Sequence, residues 1–130
     1  MSYYEFNPDI FETFGELFDK VMEIQGKLFP EATLETQAAK FEEEAKEQLA
    51  AKNYEEGMKE LADMCIVACG IMRFSDNVGK CLLGGCVTPI MYENDKVEDL
   101  FKAVCDKMNK NQKRKWDNNN GYYKHVSIVN

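Results

Sequence analysis

KELADMCIVACGIM, residues 59–72, contains the longest apolar run in the chain. Glu60 and Asp63 lead into nine residues, Met64 to Met72, that carry no charged or amide side chain. A helix that is apolar on all sides is buried, so this segment predicts a central helix. We therefore expect an all-α, antiparallel four-helix bundle-like fold that is oligomeric and ends in a short irregular or β-like tail.

Length and charge limit the function classes that fit. The 130 residues suit a single domain, residues 1–130, with one hydrophobic core. A net charge of -7 argues against a general affinity for nucleic acid, because the long-range field repels phosphate backbones. Five scattered cysteines without a signal peptide predict a cytoplasmic protein that has no disulfide framework. The apolar run is too short for a bilayer, so no membrane association is expected.

Apolar residues at steps of three and four predict the first helices. Helix one is expected from Pro8 to about Phe29. Helix two begins after Thr33, its N-cap, and Thr36 is not expected to complete a capping box. The central helix three covers about residues 54–74.

The second half of the chain is less periodic. Residues 75–93 contain three glycines and one proline, which predict a long irregular connection with at most one short helical turn. Helix four begins near Asn94 and becomes basic toward Trp116. Residues 118–121, NNNG, predict a turn, and the tail after them predicts one short strand or an ordered arm.

Four carboxylates are expected to meet beside the apolar core. Glu60 and Asp63 share a helical face with part of the apolar run, and Glu44 and Glu47 lie three residues apart on helix two. Carboxylates gathered there repel one another and lose hydration unless a divalent cation lies between them. Oxygen ligands favour Mg²⁺ or Mn²⁺, and a single histidine argues against a zinc site. Such sites act on phosphoanhydrides or phosphoesters.

A solvated acidic face is the alternative interpretation. Residues 42–47 form a glutamate-rich segment of a kind that most often faces water. Asp63 fits this alternative less well, because it leads directly into the apolar run. The residues alone leave both interpretations open.

Several motifs resemble one enzyme family. Glu43, Glu44 and Glu47, followed after twelve residues by Glu60 and Asp63, resemble the EExxE…ExxD pattern of the MazG-like all-α nucleoside triphosphate pyrophosphohydrolases. LFPEATLETQAAKFEEEAKE (28–47), KMNKNQKRKW (107–116) and GYYKHV (121–126) resemble the small, phage-type dATP/dGTP pyrophosphohydrolase branch. The likeness covers about residues 20–74 and 97–126, whereas residues 75–93 have no counterpart in that branch.

The resemblance implies a reaction and a set of roles. It implies Mg²⁺ ligation by Glu44, Glu47, Glu60 and Asp63, with Glu43 orienting or deprotonating the attacking water. The reaction would hydrolyse (deoxy)nucleoside triphosphates, purine dNTPs above all, to the monophosphate and pyrophosphate. The residues expected to contact substrate are Gln37, Lys40, Lys107, Asn111 and Arg114, with Gln25, Trp116 and His125 as further candidates.

The expected partners are the nucleotide substrate and further copies of the chain. Members of the family assemble as dimers or tetramers, and a lone four-helix unit would not cover so apolar a third helix, so a homodimer or homotetramer is expected. Two other functions stay open at this point. One is a catalytically inactive helical scaffold, and the other is a nucleotide-binding regulatory protein of the same fold.

Overall fold

The structure, a computed structural model, describes residues 3–126. These residues form five α-helices and a two-stranded antiparallel hairpin, which confirms the predicted all-α fold with a β-like tail. The elements are α1 (Phe14–Leu28), α2 (Leu34–Leu49), α3 (Tyr54–Met72), α4 (Asp76–Val87), a 3₁₀ turn (Thr88–Ile90), α5 (Asn94–Lys113), β1 (Trp116–Asn119) and β2 (Tyr122–His125). The four predicted helices correspond to α1, α2, α3 and α5. Residues 127–130 of the predicted tail lie outside the described residues.

Helix α3 is the centre of the molecule and packs against α1, α2, α4 and α5. Its small side chains Ala62, Cys65, Ala68 and Cys69 are fully buried, which lets the neighbouring helices approach closely. The prediction of a buried central helix is therefore confirmed. No helix within residues 3–126, α3 included, is long and apolar enough to cross a membrane.

The prediction of an irregular connection over residues 75–93 was wrong, because this segment forms α4 and the 3₁₀ turn. Gly79 lies where α4 meets the end of α3, and a Cβ there would stand 2.7 Å from the backbone nitrogen of Met72. Leu83 and Cys86 are buried against the core. Because α4 covers α3 within the chain, the apolar surface of α3 no longer argues for an oligomer, and the oligomeric state stays a prediction.

Two helix starts also differ from their predictions. Helix α1 begins at Phe14 rather than Pro8, because the hydroxyl of Thr13 accepts a hydrogen bond from the Glu16 backbone N–H at 3.1 Å and caps the helix there. At the start of α2 the capping box is complete. The hydroxyl of Thr36 accepts from the backbone N–H of Thr33 at 2.8 Å, the role that Glu or Gln usually has.

The tail after the turn forms one short strand, β2, as predicted, and it pairs with β1 (Trp116–Asn119), a strand that was not predicted. Asn120 (φ 52°) and Gly121 (φ 90°) form the turn of this hairpin, because an Asn-Gly pair tolerates the two positive φ angles that a tight hairpin requires. The hairpin packs on the connection between α1 and α2. There the Tyr123 hydroxyl accepts from the Glu31 backbone N–H at 3.2 Å, and the Tyr123 ring lies 4.8 Å from that of Phe29.

Candidate functional site

A pocket of about 360 Å³ lies where α2, α3, the end of α5 and the hairpin meet, and we call it the hairpin pocket. Acidic residues of α2 and α3 form one part of its wall. Basic and aromatic residues, most of them from the hairpin and the end of α5, form the other part. The lining residues are Gln25, Phe29, Lys40, Glu43, Glu44, Glu47, Asp63, Ile66, Val67, Asn111, Arg114, Trp116, Tyr122, Lys124 and His125.

Three of the four predicted metal ligands converge. Glu44 and Glu47 lie one turn apart on α2, and Glu60 faces them from α3. Each offers one carboxylate oxygen, and these three oxygens lie within 4.8 Å of one another. We call this group the acidic cluster.

The acidic cluster is electrostatically strained. Burial, followed by the charges of Asp63 and Glu47, raises the pKa of Glu44 to about 8. Burial and the charge of Asp63 also raise the pKa of Glu60. One oxygen of Glu44 and one of Glu60 are buried with no hydrogen-bond partner among residues 3–126. Orphaned carboxylate oxygens that crowd together in this way form a donor set that fits a hard divalent cation.

Asp63 lies beside the acidic cluster but has a partner of its own. Its carboxylate forms an ion pair with Lys107 of α5 at 3.2 Å, and both side chains are mostly buried. Burial raises the pKa of Asp63, and the charge of Lys107 opposes that rise. The fourth predicted ligand therefore lines the pocket, but the oxygen that faces Lys107 is already engaged.

Lys107 does not line the hairpin pocket. It forms an ion pair with Asp63, which does, and it lines a larger cavity of about 520 Å³ between α3 and α5. That cavity mixes lysines with acidic residues such as Glu55 and Asp99, and it does not include the acidic cluster. The hairpin pocket is the better candidate for phosphate chemistry, because metal-ligating and phosphate-binding residue types meet there.

Glu43 is attached to the hairpin. Its carboxylate accepts a hydrogen bond from the hydroxyl of Tyr122. Burial, followed by this hydrogen bond and the charge of Glu43, raises the pKa of Tyr122 to about 12. Tyr122 thus stays protonated as a donor and holds Glu43 at the edge of the pocket.

Lys40 and Arg114 bring positive charge to the pocket. Lys40 donates to the backbone oxygen of Tyr123 at 2.7 Å, and its ammonium lies 5.1 Å from the centre of the Trp116 ring. Burial lowers the pKa of Lys40, against the opposing effect of the nearby glutamates. Arg114 donates to the side-chain oxygen of Asn111 at 3.3 Å, so the predicted Asn111 and Arg114 pair acts as one unit.

Trp116 anchors the hairpin and also lines the pocket. Its indole N–H donates to the backbone oxygen of Asn111 at 3.0 Å. Its ring packs edge-on against Phe29 at 4.9 Å. Trp116 therefore both anchors the hairpin and lines the pocket.

The two glutamines among the candidates lie in different places. Gln25 is buried and lines the pocket. Gln37 is buried too, but its carboxamide lies against Gly70 of α3 and does not line the pocket. The role predicted for Gln37 as a substrate contact stays a prediction.

Tyr122 and Lys124 line the pocket but were not predicted as site residues. Both lie on β2, and the pairing of β2 with β1 in the hairpin brings them to the pocket. In this part of the tail only His125 was a predicted candidate, and it lines the pocket too.

No protein-family model matches the chain, and the comparisons with curated proteins and with solved structures found no match. The function is therefore inferred from the residues and the geometry of this chain.

Proposed function

We propose that the protein hydrolyses (deoxy)nucleoside triphosphates, purine dNTPs above all, to the monophosphate and pyrophosphate in a reaction that depends on Mg²⁺ or Mn²⁺. One observation carries the proposal. Three carboxylates converge within 4.8 Å, and two of their buried oxygens have no hydrogen-bond partner in the described part of the chain. Lys40, Arg114 and Lys124 line the hairpin pocket together with Glu44 and Glu47, whereas Glu60 does not line it. Metal-ligating and phosphate-binding groups therefore occur together.

The acidic cluster would hold the metal ion through Glu44, Glu47 and Glu60, with Asp63 beside them. When bound, Mg²⁺ supplies charge neutralisation and Lewis-acid polarisation of phosphate oxygens. Carboxylate-bound magnesium commonly also contacts substrate phosphates, which fits a pocket whose acidic part has cationic residues beside it.

The groups of the chain itself would bind the triphosphate and move the proton. Lys40, Arg114 and Lys124 offset the charge of the phosphate oxygens, and this stabilisation matters most in the transition state. Glu43, held by Tyr122, accepts a proton from the water that attacks the α phosphorus. The bond between the α phosphorus and the α–β bridging oxygen breaks, and pyrophosphate leaves.

Nucleotide binding without turnover is the second candidate function. The ion pair between Lys107 and Asp63 favours it, because this pair engages a carboxylate that the enzymatic proposal assigns to the metal site. In a binding protein Lys107 would keep that partner when the nucleotide binds. An enzyme would release Asp63 from Lys107 during turnover.

A panel of canonical and modified nucleoside triphosphates, incubated with and without Mg²⁺, tests the proposal. We expect stoichiometric monophosphate and pyrophosphate from at least one substrate, only when the metal is present. Release of orthophosphate would contradict cleavage between the α and β phosphates. Tight binding without any product would favour the second candidate function.

A further inference from the structure

The wall of the hairpin pocket changes from acidic to apolar along α3. Glu44, Glu47 and Asp63 line the pocket, and on α3 the lining continues from Asp63 to Ile66 and Val67. Four residues of helix separate Asp63 from Val67, which corresponds to roughly 6 Å at about 1.5 Å per residue. Gln25 of α1 lines the same pocket, and its side-chain nitrogen lies close to Gly70 of α3.

Part of the pocket wall is made of aromatic and apolar side chains. Phe29, Ile66, Val67 and Trp116 line the pocket together with Gln25. Flat aromatic and branched apolar side chains are suited to the faces of a nucleobase and cannot bind a phosphate. If the phosphates lie against the acidic cluster and the cations, the base therefore extends toward Gln25.

Gln25 is buried and carries an unused acceptor. Only 2% of its surface is exposed, and its side-chain oxygen has no hydrogen-bond partner within the described residues 3–126. Buried amide oxygens in folded proteins are nearly always hydrogen-bonded, so an unpaired one that lines a pocket calls for a donor from a ligand.

Gly70 has no side chain, and the carboxamides of Gln25 and Gln37 lie in the space beside it. A Cβ at residue 70 would collide with the side-chain oxygen of Gln37 and would lie 3.7 Å from the side-chain nitrogen of Gln25. Since α3 presents only backbone there, the carboxamide of Gln25 packs beside it. Gln25 is therefore packed against the backbone of α3 where it lines the pocket.

We infer that Gln25 reads the amino-bearing edge of a purine base. Its side-chain oxygen accepts a hydrogen bond from the exocyclic amino group, and its side-chain N–H donates to an acceptor atom next to that group on the base. A carboxamide matches such an edge with two parallel hydrogen bonds. This inference rests on the proposed function, since it requires the phosphates to bind at the acidic cluster.

Binding of non-hydrolysable nucleotides tests the inference separately from catalysis. The ligands are α,β-imido analogues of dATP, dGTP and unsubstituted purine deoxyriboside triphosphate, together with tripolyphosphate, which has no base. Calorimetry with Mg²⁺ gives the Kd values, and the fluorescence of Trp116, the single tryptophan, reports occupancy of the pocket. The variants are Gln25→Met, which keeps the side-chain length, and Gln48→Met on α2, which lies outside the hairpin pocket.

We expect the wild-type chain to bind at least one aminopurine nucleotide about tenfold to a hundredfold more tightly than the unsubstituted purine nucleotide. Gln25→Met should remove this preference and leave tripolyphosphate binding unchanged, whereas Gln48→Met should keep the preference. Equal wild-type affinity for the two purine types would overturn the inference, and this comparison needs no variant to fold. A preference that persists in Gln25→Met would overturn it too. Binding of none of the ligands, tripolyphosphate included, would remove the proposed function as well.

Discussion

Helix α2 carries two acidic faces that come from the same short run, FEEEAKE, residues 41–47. On the outer face Glu42 lies 3.5 Å from Lys46, and both side chains are exposed. On the inner face Glu44 and Glu47 meet Glu60 instead, and the nearby charges of Asp63 and Glu47 are repulsive for Glu44.

The two faces differ because helical spacing directs Glu42 and Lys46 into solvent, whereas it directs Glu44 and Glu47 toward Glu60 in the acidic cluster. An exposed pair such as Glu42 and Lys46 is worth about 0 to 1 kcal/mol. The acidic cluster is instead destabilising, because desolvation and like charge both oppose its ionisation. Side chains that destabilise the folded chain and lie at a pocket are candidates for functional residues.

Removing one member of the acidic cluster gives the largest expected effect. Glu60→Gln should lower pyrophosphate release by about a hundredfold or more, because the metal loses a charged ligand. The helical circular dichroism should stay at the wild-type level. Glu55→Gln is the matched control, since Glu55 lies on the same helix and pairs with Lys59 in solvent. Equal turnover in Glu60→Gln and the wild type would remove Glu60 from the site.

Mg²⁺ should increase the free energy of unfolding, because a cation bound at the inner face offsets the repulsion between its carboxylates. At about a hundred times its Kd, Mg²⁺ raises the free energy of unfolding by about 2.7 kcal/mol, because it binds the folded chain alone. Thermal unfolding with and without the ion measures this gain, and Glu44→Gln should lose most of it. A gain of the same size in Glu44→Gln would mean that the ion binds elsewhere.

The pH dependence of stability follows from the raised pKa of Glu44. Its pKa is 4.5 in the reference state and about 8 in the folded chain, so between these values the folded chain holds a proton that the unfolded chain releases. The contribution to stability is complete below pH 4.5 and is lost as the pH rises to about 8. Urea unfolding across this range should show the decline without metal and a flatter profile with Mg²⁺. A metal-free stability that increases over the same range would contradict the strained cluster.

The outer face should give the smallest effect. Glu42→Gln should change the free energy of unfolding by about 0.5 kcal/mol or less, because the exposed i,i+4 pair with Lys46 is screened by water and salt. Pyrophosphate release should not change. Chemical unfolding and the product assay, run beside Glu60→Gln, check both expectations. A large loss of activity in Glu42→Gln would erase the distinction between the two faces.

The sequence predicted the long helices well because their apolar spacing and their packing agree. It failed at α4, where Gly79 indicated a break. The glycine is there because α4 approaches the backbone of Met72 too closely for a Cβ, which is a tertiary cause that local propensity cannot report. It also failed at the start of α1, where the cap at Thr13 overrode the signal at Pro8.

Some contacts of the candidate site were predictable from the sequence, and others were not. The convergence of Glu44, Glu47 and Glu60 was predictable from three-residue spacing on two neighbouring helices. The ion pair of Lys107 with Asp63 was not, because it depends on how α5 crosses α3. Tyr122 and Lys124 were missed since their contact with the pocket needs the hairpin to pack on residues far away in the chain.

Anomalous scattering from crystals soaked in Mn²⁺ tests directly whether the acidic cluster binds a metal ion. We expect a manganese peak within bonding distance of oxygens from Glu44, Glu47 and Glu60 and no corresponding peak beside Glu42. Absence of density at the acidic cluster, with the ion found only at exposed carboxylates, would contradict this expectation.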